Sequence, residues 1–259
     1  MKKIMIIVAA MLSMFAIQAT AQKVHLGVGL ENSHIWRGME VNDGFITTAD
    51  LNVSSNNDMF KFGLWYGTNT ANPANYKEFD YYFGFYSGGF SLDVWDFNNF
   101  TGRSREDGYK IFNYRASETN HMIDATIGYS FAEAMPGFPM QIKWSTAFFG
   151  NDRVANLEGD DAGKSQNVYS TFVEINCPFQ VGEKWTITPS VGTAFALNPA
   201  KGTDDAHAYG KGFGVVDLRI AATYNLEAFD RTFPITVTPM WNPQLNKGYM
   251  ALTVGLLSF

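Results

Sequence analysis

Residues 77–86 read KEFDYYFGFY and alternate in character along the chain. Every second residue from Phe79 to Phe85 is aromatic, whereas the residues between them are acidic, glycine or tyrosine. A period of two places these two sets on opposite faces of a β-strand. The segment therefore predicts a strand with one apolar face and one face that is mainly polar or small.

The same alternation recurs from residue 25 onward in segments of about ten residues, separated by clusters of Gly, Asn, Asp and Pro. No segment shows convincing helical spacing. The predicted strands cover residues 25–36, 44–54, 59–68, 77–86, 90–100, 120–131, 140–148, 168–177, 185–195, 213–226, 234–241 and 248–259. About twelve strands is an even number within the range of bacterial membrane barrels, so the pattern predicts an all-β, antiparallel, up-and-down transmembrane β-barrel.

The chain begins with a pattern typical of a secretory signal. Lys2 and Lys3 precede an apolar run over residues 4–17, and small residues follow at positions 19–21. This predicts a cleaved signal peptide over residues 1–21 and a mature barrel over residues 22–259. The terminal aromatic residue, Phe259, is the expected signal for the barrel-assembly machinery of the outer membrane.

With residue 259 placed in the periplasm, the connections sort into two classes. The predicted periplasmic turns are 55–58, 87–89, 132–139, 178–184 and 227–233. The predicted external loops are 37–43, 69–76, 101–118, 150–164, 198–212 and 242–247. Most of the external loops are longer, which is the asymmetry expected of a barrel in the outer membrane.

Composition excludes several other classes of protein. Apolar residues make up 46% of the 259 residues, yet the mean hydropathy is −0.12, and no stretch past the signal is long and apolar enough for a membrane helix. Without Lys2 and Lys3 the chain has 17 basic against 25 acidic residues, a formal charge of −8. This balance argues against a nucleic-acid partner. Cys177 is the lone cysteine, so no internal disulfide is expected.

A soluble β-sandwich or lipocalin-like barrel is the alternative fold, and the placement of charge argues against it. Charged residues are 17% of the chain and fall largely in loops, whereas charges within strands mostly share the face opposite the apolar residues, as a lumen requires. The predicted lumen-lining residues are Glu31, Arg37, Asp50, Lys61, Asp80, Asp93, Asp124, Lys143, Glu174, Asp217 and Arg219. The aromatic residues expected at the two membrane interfaces are Trp36, Trp65, Trp144, Trp185 and Trp241.

Three places break the alternation. Asn32 and His34 in the first strand, and Asp96 in the fifth, fall on the lipid-facing parity, which a β-bulge or a position beyond the apolar band would explain. The last strand is apolar on both faces. Counting from Phe259 assigns Met250, Leu252 and Val254 to the lumen, which predicts a partly greasy or covered interior.

The acidic excess of the lumen favours cations if water fills it. A network of ion pairs that plugs a narrow barrel is the equally weighted alternative. The function expected from the sequence is a porin-like channel for small polar solutes or cations, with the lipid bilayer as its surroundings. The competing hypothesis is a non-conducting barrel whose external loops bind a partner. The oligomeric state is not predicted.

Catalysis and metal binding are not expected. Ser33 and His34 are adjacent, so their side chains point to opposite faces, and His121 and Asp124 also differ in parity. A barrel-embedded hydrolase is therefore the weaker hypothesis, and no cofactor is predicted. The acidic loop 151–164 does not have the spacing of a calcium-binding loop, so a solvated loop is favoured over a metal site.

The first half of the chain resembles the TorF-type porins, a family of exported proteins defined largely by sequence. The resemblance lies in Trp36-Arg37-Gly38, in Asp43, and in the segments FGLW at 62–65 and EFDYY at 78–82. The family usually has an acidic-aromatic pair before its Arg-Gly, where this chain has Ser33 and His34. The resemblance implies an outer-membrane barrel of porin type and no defined substrate.

Overall fold

The computed structural model describes residues 23–103 and 108–258. Twelve long strands form the wall of the molecule. They are β1 (Lys23–Trp36), β2 (Met39–Ser54), β3 (Phe60–Asn69), β4 (Lys77–Ser87), β5 (Phe90–Asn98), β6 (His121–Ser130), β7 (Gln141–Gly150), β8 (Ser170–Asn176), β9 (Trp185–Ala196), β10 (Gly214–Ala228), β11 (Arg231–Asn242) and β12 (Lys247–Ser258).

These strands close into an antiparallel ring. Each strand pairs with its neighbours in sequence, and β12 pairs with β1 from Gly27↔Ser258 to Glu31↔Thr253. Closure leaves no unpaired edge around the ring, which satisfies the backbone polar groups in a bilayer. The predicted fold, a closed up-and-down barrel of twelve antiparallel strands, is confirmed.

Smaller elements lie outside the ring. Two short hairpins stand in the external loops, Arg153–Ala155 with Ser165–Asn167 and Ala206–His207 with Gly210–Lys211. The strand Phe179–Val181 extends the pairing of β9. A 3-10 helix covers Phe131–Glu133. Within the described residues, no helix has the length and apolar character needed to cross a membrane.

The outer face of the ring is apolar because the alternation directs one residue in two toward lipid. The outward side chains exposed at mid-strand include Leu51, Phe62, Ile127, Ile142, Ile175, Ile220, Val237 and Leu252. The predicted lumen-lining charges point inward, whereas Asp96 lies on the outer parity. This face makes the barrel a membrane-spanning one.

The predicted facing of β12 is wrong. Ala251 and Thr253 face the interior, whereas Met250 and Leu252 are exposed on the outside. The register between β1 and β12 shifts between Val28 and Gly29, where the partners jump from Leu257 to Gly255. Such a bulge reverses the facing of every residue beyond it, so counting back from Phe259 inverted the strand. The interior face of β12 is thus small and polar rather than greasy.

The connections at the end that holds the termini of the described barrel are mostly short. Gly88 and Gly89 alone join β4 to β5, and Phe229 and Asp230 alone join β10 to β11. The opposite end holds the long segments 151–169 and 197–213 and the described residues of 99–120. The expected loop at residues 37–43 is instead a two-residue turn, because β2 begins at Met39. The signal peptide and Phe259 lie outside the described residues.

Candidate functional site

The tip of the β1–β2 hairpin leaves the barrel wall. β1 pairs with β12 only as far as Glu31, and β2 pairs with β3 only from Ile46 onward. Between these points the two strands pair with each other, ending at Trp36↔Met39. Residues 32–45, the inward hairpin, turn into the barrel. A cavity lies inside the ring, and its lining includes Trp36, Arg37, Met39 and Val41.

Irregular pairing marks where the hairpin bends. The β1–β2 register shifts between Glu31 and Ser33 and again between His34 and Ile35. Asn32 lies at the first shift and bonds to β12 with its side chain, accepting from Leu252 N at 2.6 Å. Bulges bend a strand and redirect side chains. His34, which alternation placed toward lipid, therefore faces the cavity beside Glu31.

Arg37, at the tip of the inward hairpin, crosses the interior to strand β6. Its Nη1 and Nη2 donate to the two carboxylate oxygens of Asp124 at 2.8 and 2.9 Å, and Nη1 also donates to Tyr209 Oη at 2.6 Å. Its guanidinium lies 4.7 Å from the centroid of the Trp36 ring. Burial opposes the charge, but Tyr209 and Asp124 raise the pKa of Arg37 above its ordinary value. The hairpin is thus fixed by a bidentate ion pair, the strong form of this interaction.

The turn itself explains why Arg is followed by Gly. Arg37 and Gly38 have φ of 46° and 84°, the left-handed pair that a two-residue hairpin turn requires. A Cβ on residue 38 would lie 2.2 Å from the carbonyl oxygen of Val216 on β10. Asn242 Nδ2 donates to the Gly38 carbonyl at 2.9 Å. The backbone of the turn is therefore pressed against the opposite wall.

The loop between β9 and β10 supports the hairpin. Its Tyr209 is buried and packs on Trp36 and Phe172. The loop is tied down at Ser170, whose Oγ accepts from Ala208 N at 2.8 Å and donates to Asp152 at 2.5 Å. Burial raises the pKa of Tyr209 to about 12 and that of Asp152 above its ordinary value. Loop and hairpin together cover this end of the lumen.

Beneath the inward hairpin lies a cavity of about 760 Å³. Its wall includes seven of the predicted lumen residues, which are Glu31, Arg37, Asp80, Asp93, Lys143, Glu174 and Arg219. A volume of this size is typical of a small-molecule site.

The remaining four predicted lumen residues also point inward but are engaged with neighbours. Asp124 is fully buried against Arg37, and Asp217 accepts from Arg219. Asp50 accepts from Tyr82 Oη at 2.9 Å, and the Lys61 ammonium lies 5.6 Å from the Tyr86 ring. These contacts form the packed part of the interior.

One basic residue of the cavity wall is neutralised by two acids. Arg219 on β10 donates to Glu174 Oε2 at 2.8 Å and also bonds to Asp217. Lys143 lies directly across the β7–β8 pair from Glu174. This side of the cavity is therefore an ion-pair network, which is the arrangement expected if charges plug part of the lumen.

Two of the expected interfacial aromatics are misassigned. Trp144, Trp185 and Trp241 are exposed on the outside, each by 44% or more. Trp36 and Trp65 instead line the cavity. Trp36 lies on the hairpin that turns inward, and Trp65 alternates with outward Leu64 and Tyr66 and stacks on His34. Their positions at strand ends were a misleading signal, because strand ends near a folded-in hairpin also border the interior.

Asp96 is a charge on the outer parity, and the external loop covers it. It accepts from Tyr114 Oη at 2.6 Å and bonds to His121 Nδ1 at 2.7 Å. The other ring nitrogen, His121 Nε2, bonds to the Ile111 carbonyl at 2.5 Å. Because both nitrogens are engaged, this His-Asp pair has no free base and offers no catalytic arrangement. Among the described residues, no group of three or more His, Cys, Asp or Glu could hold a metal ion.

Sequence reasoning did not include several cavity residues among its candidates. Trp95 and Phe97 share the parity of Asp93, so alternation alone could have identified them. Glu78 likewise shares the parity of Asp80. Alternation assigned His34 to the lipid-facing side, because it does not account for the irregular pairing there. Tyr209 lies in a loop, where periodicity gives no prediction of facing.

Comparison with known proteins finds solved structures of similar fold but no protein related by sequence. No protein-family model and no curated protein matches the chain. The NanC porin aligns with 90% of this chain and 98% of its own, at 11% identity and a TM-score of 0.47. The COG4313 outer membrane channel from Pseudomonas putida F1 aligns with 93% of this chain and 97% of its own, at 10% identity and a TM-score of 0.45. Membership of the TorF-type family stays a prediction.

The closed ring and its apolar outer face are those of a bacterial outer-membrane barrel. The chain is an outer-membrane protein of this architecture.

Proposed function

We propose that the protein is a channel that passes small polar solutes or cations across the outer membrane, with the inward hairpin restricting its mouth. The observation that carries this proposal is a charged cavity of about 760 Å³ inside a membrane-spanning ring. Side chains fill the interior of barrels of about eight strands, whereas a ring of twelve strands is wide enough to enclose a space of this kind.

The charge of the wall favours cations. Glu31, Glu78, Asp80, Asp93 and Glu174 line the cavity together with Arg37, Lys143 and Arg219. Two of the three bases are already bonded to carboxylates. Rings of acidic side chains select cations in pores, because their negative charge attracts cations and repels anions.

Recording of single channels in planar bilayers tests the proposal. We expect a small conductance with a reversal potential that favours K⁺ over Cl⁻. A variant with a loosened hairpin, Arg37→Ala, should conduct more. Absence of current from both proteins after verified insertion, or a preference for Cl⁻, would contradict the cation channel.

The covered mouth favours a second candidate, a non-conducting barrel whose external loops bind a partner. Tyr209 and the inward hairpin close over the lumen, while the 151–169 segment and the described residues of 99–120 stand at the same end. The same recordings separate the candidates, since this one requires that neither protein conducts. The resemblance to the TorF-type porins supports the channel.

A further inference from the structure

An aromatic strip runs along one side of the cavity. The rings of Tyr82 and Trp95 stack with centroids 4.2 Å apart, and Trp95 stacks on Phe97 at 5.6 Å. The strip continues to the inward hairpin through the edge contact of Phe97 with Trp36 at 5.3 Å. Trp65 lies nearby on the cavity wall, stacked on His34. Several indole and phenyl rings therefore border one space.

Carboxylates without basic partners stand beside these rings. Within the described residues, Glu78, Asp80 and Asp93 form no ion pair with Lys or Arg. Glu78 accepts from Tyr76 Oη and Asn99 Nδ2 at 3.1 and 2.9 Å, Asp80 accepts from a backbone N–H at 2.9 Å, and Asp93 accepts from a tyrosine hydroxyl at 2.5 Å. The Glu78 and Asp80 carboxyls also bond to each other, so this pair shares one proton and carries one negative charge.

The bases of the cavity do not balance these acids. Arg37 is held by Asp124, and Arg219 by Glu174 and Asp217. Lys143 on β7 is the remaining base of the wall, and its charge acts on both Glu174 and Asp93. Carboxylates shielded from bulk water interact strongly with a cation placed near them. The side of the cavity that carries the rings is therefore negative.

We propose that the cavity binds an organic ammonium ion with an apolar body. The Glu78–Asp80 pair and the carboxylate of Asp93 compensate its charge, and Trp95 and Trp65 contact the groups around its nitrogen. Ammonium groups are attracted to indole faces, most strongly when both are desolvated. A neutral sugar stacks on rings but leaves the carboxylates unbalanced, and an inorganic cation balances the carboxylates without needing rings.

This inference rests on the proposed function, because the bound ion would be the transported solute, but it is measured without transport. Choline and its uncharged carbon analogue 3,3-dimethylbutan-1-ol serve as matched probes. Binding to the purified protein in detergent is followed by tryptophan fluorescence and by calorimetry. We expect choline to bind at least about tenfold more tightly than the alcohol, the ratio that one charge-dependent contact of about 1.4 kcal/mol produces.

Variants identify the site. Glu78→Gln and Trp95→Leu should each weaken choline binding about tenfold or more, whereas Glu183→Gln, which removes the same charge from an exposed turn, should leave it unchanged. Circular dichroism verifies that each variant folds. If Glu78→Gln does not fold, Asp93→Asn takes its place.

Equal affinity for choline and the alcohol, no choline binding, or full choline affinity in folded Glu78→Gln and Trp95→Leu would overturn the inference. Tighter binding of a neutral hexose than of choline would also overturn it. Choline binding by a barrel that passes no current supports the inference while contradicting the channel, so the two proposals fail separately.

Discussion

Arg37 and Asp124 stand 87 positions apart in the sequence and form two parallel hydrogen bonds, of 2.8 and 2.9 Å, across the inside of the barrel. Asp124 is fully buried, and the Arg37 side chain is 13% exposed. The pair fastens the tip of the β1–β2 hairpin to the far wall. Removal of either partner leaves a buried charge uncompensated, which is costly.

Replacement of Arg37 should open the mouth of the barrel. Arg37→Ala frees the inward hairpin, so single-channel conductance should rise, while Arg37→Lys should give an intermediate value because lysine cannot form the bidentate contact. Arg153→Ala is the matched control, since Arg153 lies in an external loop and bonds to Ser165. Equal conductance in all four proteins would show that the hairpin does not restrict the pore.

The coupling between Arg37 and Asp124 should also be measurable in the free energy of unfolding. Asp124→Ala should lower the free energy of unfolding by about 3 kcal/mol, because the Arg37 charge loses its carboxylate. The double variant Arg37→Ala with Asp124→Ala should cost less than the sum of the single changes, because neither charge is then stranded. Guanidinium unfolding in lipid vesicles measures all of them. Strict additivity would mean that the two residues are not coupled.

Gly38→Ala tests the hairpin without changing any charge. The new Cβ would meet the Val216 carbonyl at 2.2 Å, and the φ of 84° disfavours alanine. The turn must shift, so this variant should raise conductance as Arg37→Ala does. Gly102→Ala is the control, because Gly102 also has positive φ but has no heavy atom within 4 Å of the added Cβ. An effect of the same size from both alanines would trace the change to backbone strain alone.

His207 should make the covering loop sensitive to acid. Burial lowers the pKa of His207 from its ordinary 6.5, because the buried ring loses the hydration that favours its charged form. The neutral ring accepts a hydrogen bond from Tyr209 N through Nδ1, which a protonated ring could not do. Its contribution is complete above pH 6.5 and is lost as the pH falls through the lowered value. The hydrogen bond of Nε2 to the Gly212 carbonyl opposes this shift, as do the charges of Asp152 and Asp205.

The measurement compares the wild type with His207→Gln at pH 8 and pH 5. The wild type should be the more stable protein at pH 8, and its advantage should shrink at pH 5. A constant difference across this range would mean that His207 keeps one protonation state.

A charged residue should destabilise the barrel more on its outer face than on its inner face. Val237→Lys, on the exposed side of β11, should reduce the free energy of unfolding in vesicles by about 2 to 4 kcal/mol if residue 237 lies near the bilayer midplane. Thr238→Lys is the matched change on the cavity wall and should cost much less. Equal costs would contradict the assignment of the two faces.

The alternation of residues was enough to predict the ring of strands. In a membrane barrel one face of each strand must be apolar and the other can be polar, so side chains such as those of Phe62, Asp80 and Lys143 reveal their facing through a local rule. The inward facing of most charged candidates follows from the same rule. It fails in β12, where one extra residue reverses the count. It also fails at His34, where the pairing with β2 is irregular and the hairpin bends away from the wall.

The sequence by itself determined the class of fold, the number of strands and the facing of most of their residues, because these depend on neighbours along the chain. Only the tertiary structure decided that the β1–β2 hairpin folds inward, that Arg37 meets Asp124, and that Tyr209 covers them. It also decided that Trp36 and Trp65 border the cavity. These contacts join distant parts of the chain, and their geometry depends on closure of the ring and on bulges, which no local period encodes.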